Sequence, residues 1–406
     1  MNTNWKINFG ILWIGQAVSI LTSSILQMAL IWHLTASTQS AFILSMASIA
    51  GFLPNAILGI VAGTVVDRVN RKITMIGADL FIAAVSLILA LVCIEGELPI
   101  WLVLLVLAVR SVGTSFHTPS ISAVTPLIVP TEYLTKCSGY TQSIQTIGYI
   151  AGTAIAGVLY SVWSISGMVA LDVAGAIIAS IGVAVIKIPI IQKQEDVCVS
   201  TGFWNEMKAG YGVLRQDKGL VAIVLIAVAF MVLYSPINAL FPLMTLDYFA
   251  KTTVEASIAE IAFSIGMLVG GVVLGGTGGI KNRGIAIPFS ILVMGLPIGI
   301  SGILPHNGFW FFAAMCIVMG VSVPFYNGPV MALIQERISP EYLGRVFGLY
   351  GSLVSLAMPL GLVFSGMFAD VVGVNRWFLL SGVAIIVIAL ICRIVPSIRS
   401  IDKQAN

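Results

Sequence analysis

Apolar runs about 20 residues long dominate this 406-residue chain, and charged or Gly/Pro/Asn breaks divide them into twelve. They lie at 9–34, 41–65, 73–94, 98–118, 137–160, 168–188, 219–247, 255–279, 285–304, 308–333, 343–369 and 377–395. About 20 residues of α-helix cross the hydrocarbon core of a bilayer. None of the runs alternates with the period of two that a strand needs. The pattern predicts an all-α integral membrane protein with twelve transmembrane helices. The first run starts near Phe9 and is about 26 residues long, which suits a span better than a cleaved signal peptide.

The longest polar stretch runs from about Pro189 to Lys218, and Lys187 to Lys218 holds nine of the 37 charges. Within it Phe203, Met207, Tyr211 and Leu214 recur at helical spacing, which predicts an interfacial amphipathic helix. The chain divides into a six-helix half at 1–188, a cytoplasmic linker at 189–218 and a second half at 219–406. The halves repeat at an offset of 209: Glu132-Tyr133-Leu134 returns as Glu341-Tyr342-Leu343, and Phe116-His117 as Phe325-Tyr326. Gly139, Gly152 and Gly157 correspond to Gly348, Gly361 and Gly366. Two parallel six-span halves are the build of a secondary transporter of the major facilitator type.

Composition narrows the class. Only 9% of residues are charged and 58% are apolar, about 68% when the 40 glycines are added. Soluble chains run at about 25% charged, so a soluble enzyme, a nucleic-acid binder and a disordered protein are excluded. The five cysteines (Cys93, Cys137, Cys198, Cys316, Cys392) contain no CxxC, and no HExxH, GxSxG or GK occurs. No metal site, cofactor, catalytic motif or P-loop is therefore expected. Placing 1–8 inside puts 17 of the 20 Lys and Arg residues in cytoplasmic segments; Lys251 and Arg376 fall outside and Arg110 within a span. This is the positive-inside bias of a multi-pass membrane protein with both termini cytoplasmic.

The loop after the second run reads Gly63-Thr-Val-Val-Asp67-Arg68-Val-Asn70-Arg71-Lys72. It resembles the major facilitator signature GxxxDRxGRK, with Asn70 in the place of a glycine. The resemblance implies a cytoplasmic gate loop carried by Gly63, Asp67, Arg68, Arg71 and Lys72. The second-half counterpart, Gly275–Arg283, keeps glycines and bases but has no acid, so a latch there is not expected.

Charges inside spans are the candidates for coupling. A bare charge at mid-membrane costs roughly 2.5–3.5 kcal/mol on insertion scales, so Arg110 needs a partner. Asp79 lies at similar depth and is the expected one, either as a fixed ion pair or in a proton-coupled role. His117 lies seven residues from Arg110, on the same helical face, as a relay or a structural histidine. Glu260 is placed to carry a proton or attract a cationic solute, and Asp172 to sit at the interface. A central cavity is expected from Trp13, Gln16, Gln27, Thr114, Gln145, Tyr234, Asn238, Phe325, Tyr326 and Asn327. A few amides among aromatic side chains suit a bulky amphipathic solute.

Beyond the superfamily, the chain resembles the bacterial macrolide-efflux (Mef) transporters. The likeness runs through Gly51-Phe-Leu-Pro54, Met75-Ile-Gly-Ala-Asp79-Leu80, Gly113-Thr-Ser-Phe-His-Thr-Pro119, Pro236-Ile-Asn-Ala-Leu-Phe-Pro242 and Pro340-Glu-Tyr-Leu-Gly-Arg-Val-Phe347. It implies proton-coupled export of macrolides by alternating access, with protons and membrane lipid as further partners. It also implies a functional partnership with an Msr-type ribosome-protection ATPase. The alternative is export of another amphipathic drug, metabolite or siderophore.

Overall fold

The computed structural model describes residues 5–95, 98–130, 133–186, 210–277, 282–338 and 340–396. Inside a bilayer every backbone N–H and C=O must find a partner within the protein, and a helix meets that demand within one segment. Accordingly the described chain is twelve long helices. The first six are α1 (Trp5–Thr38), α2 (Ala41–Arg68), α3 (Arg71–Glu95), α4 (Ile100–Ile128), α5 (Leu134–Val162) and α6 (Ile165–Val185). The rest are α7 (Lys218–Leu243, continued by a π-helical turn over Met244–Tyr248), α8 (Thr253–Thr277), α9 (Arg283–Ser301), α10 (Phe309–Arg337), α11 (Pro340–Val372) and α12 (Val374–Ile394). All twelve elements contain a stretch long and apolar enough to cross a membrane. Much of the linker expected at 189–218 lies outside the described residues; its last part is helical at 210–214.

Several helices overrun their apolar windows. The expected span 98–118 becomes Ile100–Ile128, because Pro119 and Pro126 are absorbed in the helix. Polar side chains set the ends. Asn70 accepts from the Lys72 backbone N–H (3.0 Å) and so starts α3, which is the work of an N-cap. Ser164, Asp217 and Asn282 cap α6, α7 and α9 in the same way.

The chain forms two compact units. The first takes Met1–Gln39, Met46–Gln194 and Thr252–Ser257, and the second takes the remainder. In the first, α1 lies against α5 and α6, and α3 against α4 and α6. Glycines permit the close approach: a Cβ on Gly152 of α5 would stand 2.5 Å from Ser24 Cβ and 3.1 Å from Leu21 O on α1. In the second, α9 lies on α12, and α7 on α11. A buried ring cluster of Phe241, Phe249, Phe309, Phe312 and Phe378 fills one part of it. Glycines also bring α8 onto α10, where a Cβ on Gly320 would overlap the Phe263 carbonyl oxygen and stand 2.8 Å from Met267 N.

That crossing predicts that Gly320→Ala, which adds one methyl against rigid backbone, destabilises the protein by about 1–3 kcal/mol. Gly271→Ala, one turn beyond on α8 with open space at its Cβ, leaves the thermal unfolding midpoint in detergent unchanged.

Candidate functional site

The first unit contains a polar cavity of about 300 Å³. Helix α4 presents Arg110, Thr114 and His117 to it at i, i+4 and i+7; Asp79 of α3, Gln27 of α1 and Gln145 of α5 complete the expected residues that line it. Arg110 is 6% exposed, and its Nη1 stands 2.5 Å from Oδ2 of Asp172, which is 1% exposed. Arg110 also donates to Ser86 Oγ. Ser86 donates to Asp172 Oδ2 (3.0 Å) and Ser23 to Asp172 Oδ1 (2.6 Å). Four helices thus meet on one ion pair.

This corrects two expectations: Arg110 pairs with Asp172, not with Asp79, and Asp172 is buried rather than interfacial. The reason is helical register. Ser86 is the α3 residue level with Arg110, and Asp79 lies seven residues away, about 10 Å at 1.5 Å per residue. On antiparallel α4 the same seven-residue step from Arg110 reaches His117. There Nε2 of His117 stands 3.0 Å from Asp79 Oδ1, off the line of a hydrogen bond. Asp79 is 2% exposed, and its Oδ2 has no hydrogen-bond partner among the described residues. A signal for the first pair was present in the sequence: Asp172 lies in a long apolar run, where an acid also needs a partner.

The second unit contains a larger, apolar cavity of about 520 Å³, and Tyr234, Tyr326 and Asn327 are among the residues that line it. Phe230 stacks on Tyr234 (ring centroids 5.4 Å apart, planes at 9°). Sequence reasoning missed the four methionines that also line it, Met231, Met267, Met294 and Met331. The repeat offset of 209 links the two cavities: Thr114, His117, Thr118 and Gln145 line the first, and Val323, Tyr326, Asn327 and Val354 line the second. Equivalent positions therefore face a cavity in each unit, polar in one and mostly apolar in the other.

Other expected cavity residues are not among those lining these two cavities. Trp13 packs against the apolar cluster that includes Phe9, Leu12 and Met75. Gln16 is 5% exposed, and neither amide atom has a hydrogen-bond partner among the described residues. Neither is among the residues lining the first cavity. Asn238 follows Tyr234 by one turn, its side chain exposed. Phe325 lies outside the second cavity's lining, and its carbonyl accepts from Ser290 (2.9 Å). Glu260, half-buried on α8, lies one turn before Phe263 of the second cavity.

Of the gate loop, Gly63, Asp67 and Arg68 end α2, and their side chains lie outside the described residues. Arg71 opens α3. Lys72 donates from Nζ to the carbonyls of Ala184 (2.6 Å) and Ile186 (2.9 Å) at the end of α6, where a cation meets the negative end of the helix dipole. In the second unit the missing acid comes from another helix. Arg283 makes a two-pronged pair with Glu336 of α10. The segment itself has no acid, as its sequence reads, and its arginine is met from outside it. Next to it Arg337 donates to Asp217 Oδ2 (2.7 Å). Burial pushes the Asp217 carboxyl up, but the Arg337 hydrogen bond and the Leu220 and Gly219 N–H groups outweigh it and hold the group below the usual carboxylate range. The contact is present at neutral pH and is lost as pH falls through that lowered value.

Comparison with known proteins decides the family. The Major Facilitator Superfamily profile matches residues 12–362 and 237–403. The chain is 54% identical over 401 residues to "Macrolide efflux protein A" of Streptococcus pyogenes, covering 99% of each chain. The chain belongs to the macrolide-efflux family of the major facilitator superfamily. "Macrolide efflux protein A" of Enterococcus faecalis is 52% identical over 323 residues, covering 80% of this chain and 99% of that protein. A solved bacterial homologue of the human lysosomal transporter Spinster superposes with a TM-score of 0.76 at 13% identity, covering 100% of this chain and 99% of that one. The family consists of multi-pass membrane transporters, and this protein is a transporter, not an enzyme.

The Arg110–Asp172 geometry predicts that Asp172→Asn strands a buried guanidinium and destabilises the protein by about 3–5 kcal/mol. Asp79→Asn removes a carboxylate with one unpartnered oxygen, and is expected to be neutral or stabilising. Thermal unfolding of the two purified variants in one detergent tests this ordering.

Proposed function

We propose that this drug efflux transporter exports macrolide antibiotics from the bacterial cytoplasm in exchange for protons. The full-length likeness to streptococcal "Macrolide efflux protein A" supports the solute class. The halves 1–188 and 219–406 alternate access about the linker 189–218. Both termini face the cytoplasm of the inner membrane, in keeping with the basic residues at that side. The gate-loop residues Gly63, Asp67, Arg68, Arg71 and Lys72 close the cytoplasmic side. Partnership with an Msr-type ATPase rests on family resemblance alone.

The observation that carries proton coupling is the Asp79–His117 pair. Two titratable groups 3.0 Å apart line a polar cavity, and one carboxylate oxygen has no hydrogen-bond partner among the described residues. A proton taken up there is shared between an imidazole and a carboxylate whose electrostatic needs it changes. Arg110, clamped by Asp172, Ser86 and Ser23, holds the nearby field constant and is the fixed member of the site. One proton moving inward supplies about 2.3 kcal/mol per 100 mV and about 1.4 kcal/mol per pH unit, enough for a useful drug gradient. The methionine-rich cavity favours a second reading, export of a wider set of amphipathic drugs or metabolites, because thioethers adapt to varied shapes.

Expression in a pump-deficient host is expected to lower radiolabelled erythromycin accumulation well below that of vector cells. A protonophore restores it to the vector level, and Asp79→Asn does the same at equal expression. Accumulation equal to vector without protonophore sinks the macrolide reading. Exclusion that persists with protonophore, or in Asp79→Asn, sinks the coupling reading. A tetracycline and fluoroquinolone panel separates a narrow exporter from a broad one.

A further inference from the structure

Four helices of the first unit stack their facing residues in layers. The Arg110–Asp172 pair with Ser23 and Ser86 is one layer. Eleven residues along each helix, about three turns on the same face, stand Leu12, Met75, Ile121 and Val183. All four are buried and belong to one apolar cluster, so the helices keep their register over this distance. Between the two layers, seven residues from the first, stand Gln16, Asp79, His117 and Ala179. The Asp79–His117 contact lies at this level. So does a close approach of α1 to α6, where a Cβ on Gly15 would stand 3.3 Å from Ala179 Cα. Gln16 is therefore the α1 member of the layer that holds Asp79 and His117.

This layer carries polar atoms that no described residue answers. Neither amide atom of Gln16, nor Asp79 Oδ2, nor His117 Nε2 has a hydrogen-bond partner among the described residues. Gln16 and Asp79 are 5% and 2% exposed. An unmet buried donor or acceptor costs about 1–3 kcal/mol. The apolar layer shuts the site on one side. Asp79 and His117 also line the polar cavity, as does Ser19, one turn from Gln16. Several such atoms at one level meet the need of an ordered buried water, which takes about two to four polar partners. The titratable groups around them are few. Helix α4 brings Arg110 and His117, and α6 brings Asp172. Helix α5 brings Tyr149 at the cavity and Cys137 in the apolar cluster. Helix α1 has none between Lys6 and His33, and the described side chains of α2 include none.

We propose that Gln16 is a positioning residue of the proton site, and that its amide holds an ordered water molecule against Asp79 Oδ2. The inference rests on the proton-coupled reading and adds one residue and one water to it. The water donates to Oδ2 while Asp79 is charged, and the Gln16 amide anchors the water. An amide both donates and accepts, so it serves the charged and the protonated carboxyl alike. Removing it takes away a stabiliser of the charged form and so favours uptake of the proton.

The test has two arms, both on the full-length protein. A crystal structure at a resolution that shows ordered water is expected to place one within hydrogen-bond distance of Gln16 and Asp79 Oδ2. In Gln16→Met, which keeps the shape and removes the amide, that water is gone. In proteoliposomes, the pH of half-maximal proton-driven erythromycin exchange is expected to rise by about one unit in Gln16→Met, a tenfold change in proton affinity. Gln16→Asn, whose amide the water still reaches, stays near the wild-type midpoint. A midpoint unmoved in Gln16→Met, with only the maximal rate lowered, marks Gln16 as structural and overturns the proposal. A wild-type map without water at that position overturns it as well, whether or not the variants fold. Wild type that exchanges no protons refutes the coupling reading instead, and the map still decides whether Gln16 and Asp79 share a water.

Discussion

A charge inside a bilayer is tolerated only in company, and the first unit is organised around that demand. The Arg110 guanidinium has to be brought to a carboxylate at matching depth, and Asp172 of α6 supplies it. Ser86 of α3 and Ser23 of α1 each donate a further hydrogen bond to that carboxylate. The pair therefore fixes the mutual height of α1, α3, α4 and α6. With those heights set, Asp79 falls opposite His117 and the polar cavity opens between them. The arrangement separates an ion pair held by four helices from the Asp79–His117 contact beside it.

Duplication has given each unit a cavity at equivalent positions and then opposite chemistry. His117 and Tyr326 are repeat partners, as are Thr114 and Val323, and Gln145 and Val354. Each member lines the cavity of its own unit. One cavity has amides, hydroxyls and charges. The other has rings and methionines suited to an adaptable apolar solute. Divergence of a repeat has thus placed two different environments on one scaffold.

The sequence carried the helix count, the approximate span positions, the internal repeat and the family, because each depends on local composition or on contiguous motifs. Arg110, Asp79 and His117 were recognisable as consequential by the same logic, since isolated charges in apolar runs stand out. Their pairing was not. Asp79 and Asp172 sit in different spans, and about two helical turns of vertical offset decide which of them meets Arg110. The acid that binds Arg283 was equally hidden, since Glu336 lies 53 residues away on α10.

What the chain by itself determined is the membrane environment and the long helices, through apolar runs that cannot be covered in water and a backbone that must bond to itself in lipid. Tertiary structure alone decided which buried charges neutralise one another. It also decided which small residues allow helices to touch, and which methionines converge on one cavity. Those outcomes depend on the rotation and height of one helix against another. These are properties of packed pairs, and no single segment encodes them.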